Sequence, residues 1–177
     1  MRQLLLLRHA KASRDDPDLS DHERPLTKRG VKDAATMRRL MRELGLQPDV
    51  VLVSPAKRAQ QTLAGLEPFD DTPIVETLEG LYMAGPGQIL QILQTLPDTA
   101  RSVLVIGHNP GLHELALLLA DKTEAWRRMP ELARMAEKFP TAALAEFQVS
   151  GSWQDLGVRG TRLVGFLIPR EITKAAD

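Results

Sequence analysis

Three short apolar runs, Leu4–Leu7, Val50–Val53 and Val103–Ile106, most narrow what this chain can become. Each is too short for a helix and lacks polar alternation, so each reads as a strand covered on both faces, as in a parallel sheet. Patterns of helical period lie between them. One covers about Thr27 to Leu44, with Val31, Ala34, Ala35, Leu40 and Leu44 near helical spacing and Gly45 placed to end it. Others cover about Pro55 to Leu66, Pro86 to Leu96 and Pro110 to Ala120. This alternation predicts an α/β fold with right-handed crossovers. Pro73 to Glu76 reads as a further short strand, and Asp121 to Pro140 as an irregular or partly helical excursion. Leu144–Val149 and Arg162–Ile168 read as two late strands, paired like a hairpin at a sheet edge.

The chain has 177 residues, 43% of them apolar, which suits a single domain spanning 1–177 with a full core of its own. No repeat or low-complexity linker divides it. Its 23 basic and 23 acidic residues cancel, which argues against a general nucleic-acid or membrane-surface binder. Cysteine is absent, excluding disulfides, thiolate zinc sites, iron–sulfur clusters and a cysteine nucleophile. The leucines near the N-terminus fall short of a signal-peptide apolar region of roughly 7–15 residues. No run reaches the roughly 18 apolar residues of a membrane span. A cytoplasmic protein is the expectation.

The chemistry collects just after the three apolar strands. Arg8-His9-Ala10 follows the first, Ser54-Pro55-Ala56-Lys57-Arg58 the second and Gly107-His108-Asn109-Pro110 the third. In open α/β sheets the ligand crevice lies beyond the carboxyl ends of the strands. Two histidines and at least two arginines are therefore expected to share one crevice. Ser54-Pro55 and Asn109-Pro110 also look like helix starts, a preferred N-cap residue followed by proline at the first helical position. Lys57 and Arg58 then fall in a first helical turn, where a cation opposes the helix dipole by roughly 0.3–1 kcal/mol. An anion bound there would reverse that sign, and phosphate is the expected anion.

Each residue alone has a plainer reading. Arg8 can be a strand-end surface arginine, His9 a satisfied rim residue, Arg58 a solvated helix residue and His108 a turn closer. Their joint placement at three strand ends is what argues for a site. His113 reads as ordinary helix surface or boundary, and His22 lacks a comparable setting. No H-E-x-x-H is present, Arg8 beside His9 would repel a dication, and carboxylates are sparse near both histidines, so no metal or other cofactor is expected. A G-x-S-x-G elbow and a G-x-x-x-x-G-K-[ST] loop are both missing. An anion pocket holding a candidate histidine nucleophile remains.

These residues resemble the histidine phosphatase superfamily, which includes the cofactor-dependent phosphoglycerate mutases. The resemblance runs through Leu6-Leu7-Arg8-His9-Ala10, Ser54 to Thr62 and Gly107-His108-Asn109-Pro110. Asp21 to Gly30, Phe139-Pro140-Thr141 and Pro169-Arg170 are similar to the small SixA-like phosphohistidine phosphatases. The resemblance implies a single-domain three-layer sandwich with a mostly parallel central sheet and helices on both faces. It implies that His9 attacks phosphorus and carries the phosphoryl group, with Arg8, Arg58 and His108 on its oxygens and Arg24 a further candidate ligand. Ala10 stands where the broader family has glycine, but the carbonyl that would orient His9 is kept. The family's proton donor is often a glutamate after the third strand. Glu79 is the nearest candidate, though a surface carboxylate is the better reading of it. Asp15, Asp16, Asp18 and Asp21 lie in the first loop without a position that sequence can fix.

The expected activity is a metal-independent phosphatase with a phosphohistidine intermediate, acting on a phosphorylated substrate such as a histidine-phosphorylated protein. The alternatives are a phosphatase of a small phosphorylated metabolite and a non-catalytic phospho-ligand module. No nucleic-acid or membrane partner is expected. The oligomeric state is open, a monomer being compatible.

Overall fold

The computed structural model describes residues 1–120 and 129–171. Strands β1 (Arg2–Arg8), β2 (Val50–Val53), β3 (Ile74–Thr77), β4 (Ser102–Gly107), β5 (Leu144–Val149) and β6 (Thr161–Leu167) form one sheet. Helices α1 (Lys28–Glu43), α2 (Lys57–Leu66), α3 (Pro86–Gln94), α4 (Gly111–Leu119) and α5 (Pro130–Glu137) flank it, with a 3-10 turn at Glu79–Leu81. The strand order is β3-β2-β4-β1-β5-β6. β3, β2, β4 and β1 run parallel, and β5 pairs antiparallel with β1 and then with β6. The expected edge hairpin is thus present, and β3 supplies the short strand foreseen from Pro73 to Glu76.

The three apolar runs are buried because the helices pack on both faces. Leu5, Leu7, Val51, Val53, Leu104 and Ile106 meet Met37, Leu40 and Met41 of α1 and Ala59, Leu63 and Leu66 of α2. Leu4, Leu6, Leu52, Val103 and Val105 meet Ile89, Leu93, Leu112, Leu115, Leu132 and Met135 on the opposite face. Burial of each such side chain stabilises by about 1.5–3 kcal/mol. α1 begins where its grammar says: the Thr27 hydroxyl accepts from Gly30 N at 3.0 Å. It ends with Gly45 at φ +67°, in the left-handed region that glycine tolerates.

Two expected caps are corrected. α2 starts at Lys57 with Ala56 as its N-cap, and α4 starts at Gly111 with Pro110 as its N-cap. Ser54 and Asn109 do not cap, because their side chains are bound elsewhere. The Ser54 hydroxyl contacts His108 at 2.6 Å and the Asn109 amide donates to the Phe139 carbonyl at 2.9 Å. Of the excursion expected from Asp121 to Pro140, residues 130–137 form α5, and 121–128 lie outside the described residues.

Register positions the site. Arg8 pairs with Gly107 across β1 and β4, and Val53 pairs with Ile106 across β2 and β4. His9 N donates to Gly107 O at 3.1 Å and Ser54 N to Ile106 O at 3.0 Å. Three neighbouring strands end in step, so His9, His108 and Ser54 leave the sheet side by side.

Candidate active site

Beyond those strand ends opens a cavity of about 310 Å³. Its lining includes Arg8, His9, Arg58 and His108, the four residues singled out from sequence, together with Arg24. The structure therefore brings together segments 8–10, 24, 58 and 108. Glu79 is exposed at the head of the 3-10 turn and does not line this cavity. His22 does not line it either; its ring packs on Tyr82 with centroids 5.0 Å apart. His113 contacts the Met135 carbonyl through Nε2 at 2.7 Å and ties α4 to α5.

His9 is buried, and its ring is held by Nδ1 on the Ala10 carbonyl at 2.7 Å. Nδ1 must donate to that oxygen, so the proton sits there and Nε2 keeps its lone pair. Arg58 Nε donates to Nε2 at 3.3 Å, consistent with that assignment. Burial lowers the His9 pKa to about 3, opposed by the Ala10 carbonyl and helped by His108, Arg58 and Arg8. At neutral pH the ring is therefore uncharged. Ala10 itself is fully buried, and its N–H donates to the Thr62 hydroxyl at 2.9 Å. Thr62 Oγ1 in turn donates to the Arg58 carbonyl at 2.7 Å, so one turn of α2 braces the His9–Ala10 segment.

Arg58 is 2% exposed, which is rare for an arginine and demands partners. Nη1 donates to the Asp21 carbonyl at 2.5 Å, and Nη2 to the Asp21 carboxylate at 3.0 Å. Nη2 also lies 3.3 Å from His108 Nδ1. The Asp21 carboxylate further pairs with Arg24 at 2.9 Å and accepts from the Tyr82 hydroxyl at 2.7 Å. The Tyr82 hydrogen bond and the Arg58 guanidinium hold its pKa at about 2. The same contact raises the Tyr82 pKa. Burial lowers His108 to about 4, with Arg58 adding to the fall. Arg8 is pushed below its ordinary value by burial and then by Arg58. One of its amino groups donates to the Phe139 carbonyl at 3.0 Å, while its Nε is buried with no hydrogen-bond partner. Arg24 Nε is buried without a partner in the same way. Both residues line the cavity through their side chains' other parts or backbone, and neither Nε is open to it.

Sequence reasoning left Asp21 unplaced and passed over Ser54, Thr62, Tyr82 and Thr141 as site residues. Thr62 carried a usable signal: it lies four residues after Arg58 on a helix, hence on the same face. Asp21 sits within the motif that also supplies Arg24. Tyr82 carried no signal, since only the return of the chain after β3 brings it to Asp21.

The sequence and the fold both have relatives among known proteins. The profile of the histidine phosphatase superfamily (branch 1) matches residues 4–82. An uncharacterized protein of Mycobacterium tuberculosis is 37% identical over 166 residues, covering 93% of this chain and 100% of that one. The phosphohistidine phosphatase SixA of Escherichia coli is 35% identical over 111 residues, 61% of this chain and 68% of its own length. Among solved structures, a candidate SixA of Nakamurella multipartitia superposes with a TM-score of 0.82 at 30% identity, over 95% of this chain and 96% of that one. The protein histidine phosphatase SixA complexed with tungstate superposes with a TM-score of 0.76 at 26% identity, over 96% and 99% of the two chains. Motifs, sheet order and relatives converge, and the chain belongs to the histidine phosphatase superfamily, among its SixA-like members.

Proposed function

We propose that this phosphatase hydrolyses phosphohistidine through a covalent intermediate on His9. The observation that carries the substrate class is the state of the carboxylate in the cavity. Asp21 is the sole acidic residue among the described lining residues, and it is clasped by Arg58, Arg24 and Tyr82. An ionised carboxylate so held has no proton to give. Alkoxide leaving groups need one, whereas a departing imidazole is a far weaker base.

In the proposed reaction His9 Nε2 attacks phosphorus, forming a P–N bond as the substrate's P–N bond breaks. The departing imidazole takes its proton from solvent. Water then attacks the His9 phosphoryl group, releasing inorganic phosphate and returning the electron pair to Nε2. Arg8, Arg58 and Arg24 neutralise the equatorial oxygens, and His108 hydrogen-bonds one of them, which is most of what phosphoryl transfer asks of a protein.

The test compares kcat/KM for a phosphohistidine peptide, an aryl phosphate and a phosphoserine peptide, with labelling by a radioactive phospho-donor. The expected order is phosphohistidine, then aryl, then alkyl phosphate, with an acid-labile, alkali-stable label that His9→Ala abolishes. Superior turnover of alkyl phosphates, lost in Glu79→Gln, would move the reading to a metabolite phosphatase. Reversible phosphate binding without label or turnover would mean a binding module.

A further inference from the structure

The cavity holds more positive charge than one phosphoryl group can use. Among the described residues, five basic ones line it, Arg8, Lys11, Arg14, Arg24 and Arg58, against the single carboxylate of Asp21. His9 and His108 are neutral near pH 7 and offset nothing. The protein as a whole has a formal net charge of zero, so this is a local concentration.

The basic groups divide by depth. Arg58 is buried and Arg8 and Arg24 are half-buried, beside the two histidines. Lys11 and Arg14 are exposed at the mouth, both on the loop that leaves β1. Neither side chain forms an ion pair or hydrogen bond with a described residue. Other acids of that loop leave them free. Asp16 shares a neighbouring groove with Arg14 without an ion pair to it, and its Oδ1 accepts from Asp18 N at 3.0 Å. Asp21 is engaged by Arg58 and Arg24.

The loop is not a loose strand of surface chain. Lys11 O accepts from Thr27 N at 2.8 Å and from the Thr27 hydroxyl at 3.2 Å. Ala12 and Leu26 form an antiparallel bridge, and Ser13 N donates to Pro25 O at 2.8 Å. Gly30 packs so closely that an added Cβ would lie 2.3 Å from Lys11 O. The Lys11 backbone, two residues from His9, is therefore fixed relative to the nucleophile. Its side chain is thereby tethered at the mouth of the cavity.

Resting on the reading of the cavity as a phosphoryl site, we propose that Lys11 and Arg14 form a second-anion subsite at its mouth. It selects phospho-substrates bearing a carboxylate or another phosphate next to the phosphoryl group. That anion has two sources: an acidic side chain flanking a phosphorylated histidine, or the second charged group of a small phosphorylated molecule.

Calorimetry with two non-hydrolysable probes reads the subsite without relying on turnover. Phosphonoacetate carries the extra carboxylate and methylphosphonate lacks it. The wild type binds phosphonoacetate at least tenfold tighter at low ionic strength, which is about 1.4 kcal/mol, and the margin shrinks in high salt. Lys11→Ala/Arg14→Ala abolishes the margin and Lys11→Arg keeps most of it. Equal binding in the wild type, or a margin that survives the double substitution, overturns the subsite. Turnover then separates the sources, using phosphohistidine peptides with Glu or Gln flanks and aryl phosphates with or without a ring carboxylate. A KM advantage confined to the Glu-flanked peptide assigns the subsite to a protein substrate, and one confined to the carboxylated aryl phosphate to a small molecule. Should no phosphohistidine peptide turn over, the proposed activity falls while the calorimetric margin still decides the subsite.

Discussion

The Ser54 hydroxyl lies 2.6 Å from His108 Nε2, a contact that can serve either tautomer of the ring. Arg58 Nη2 faces Nδ1 at 3.3 Å, making Nδ1 an acceptor and Nε2 the donor to Ser54 in this arrangement. Ser54 Oγ also accepts from Ala56 N at 3.3 Å, leaving its own proton free to turn toward Nε2. A phosphoryl oxygen beside Nδ1 needs that reversal, which a hydroxyl permits and a methyl group does not. Ser54→Ala is expected to lower kcat/KM roughly five- to thirtyfold, the cost of about 1–2 kcal/mol for leaving the Nε2 acceptor buried and unsatisfied. Unchanged kinetics on an aryl phosphate would show that the tautomer is not set here.

Arg58→Lys keeps the charge and loses the fork. The guanidinium reaches His9, the Asp21 carbonyl and the Asp21 carboxylate at once. An ammonium on a flexible stem cannot hold that geometry and grip two phosphoryl oxygens. A fall in kcat of at least tenfold, about 1.4 kcal/mol of barrier, is expected in steady-state assays. Wild-type turnover would mean that Arg58 does not touch phosphate.

Asp21→Asn removes the one acid among the described lining residues while keeping its shape. The carboxylate competes with a bound anion for Arg58 and Arg24. It is half exposed, so the competition is screened. Inorganic phosphate is expected to inhibit the variant up to about fivefold more strongly. Weaker inhibition would mean that Asp21 chiefly orients Arg58.

The pH profiles of activity and stability should separate. His9 and His108 stay neutral down to about pH 3 and 4, so enzyme ionisation should leave kcat/KM flat from pH 7 to about pH 5. Unfolded histidine titrates near its ordinary 6.5. Both folded pKa values lie below that, so the unfolded chain binds more protons as pH falls from 6.5 toward 4 and 3. The stability contribution is complete above pH 6.5 and lost through that window. Asp21, lowered from 3.8 to about 2, acts in the same direction further down. Thermal melts and initial rates across pH 4.5–7.5 check the split; an activity loss centred near 6.5 would contradict the buried neutral ring.

The parallel part of the fold was legible because Leu4–Leu7, Val50–Val53 and Val103–Ile106 are apolar without alternation, which only two-sided burial explains. His9, Arg58 and His108 were legible because strand ends are where such sheets place ligands. Ser54 and Asn109 were misread, since a short polar side chain before proline caps a helix or reaches a neighbour equally well. Only the positions of His108 and Phe139 decide, and those come from distant segments. Asp21 and Tyr82 are 61 residues apart, and no local pattern announces that they meet.

β1 lies between β4 and β5, hydrogen-bonded along both sides, and His9 is the first residue beyond it. The loop that follows is pinned at Ala12, Ser13 and Thr27 but leaves the side chains of Lys11 and Arg14 without an ion pair or hydrogen bond to a described residue. Mutational drift therefore meets unequal resistance at the two places. A change near His9 disturbs the sheet's interior, whereas a change at Lys11 or Arg14 removes no side-chain bond to a described residue. On the proposed reading, chains built on this plan can diverge in what they recognise while His9 stays where it is.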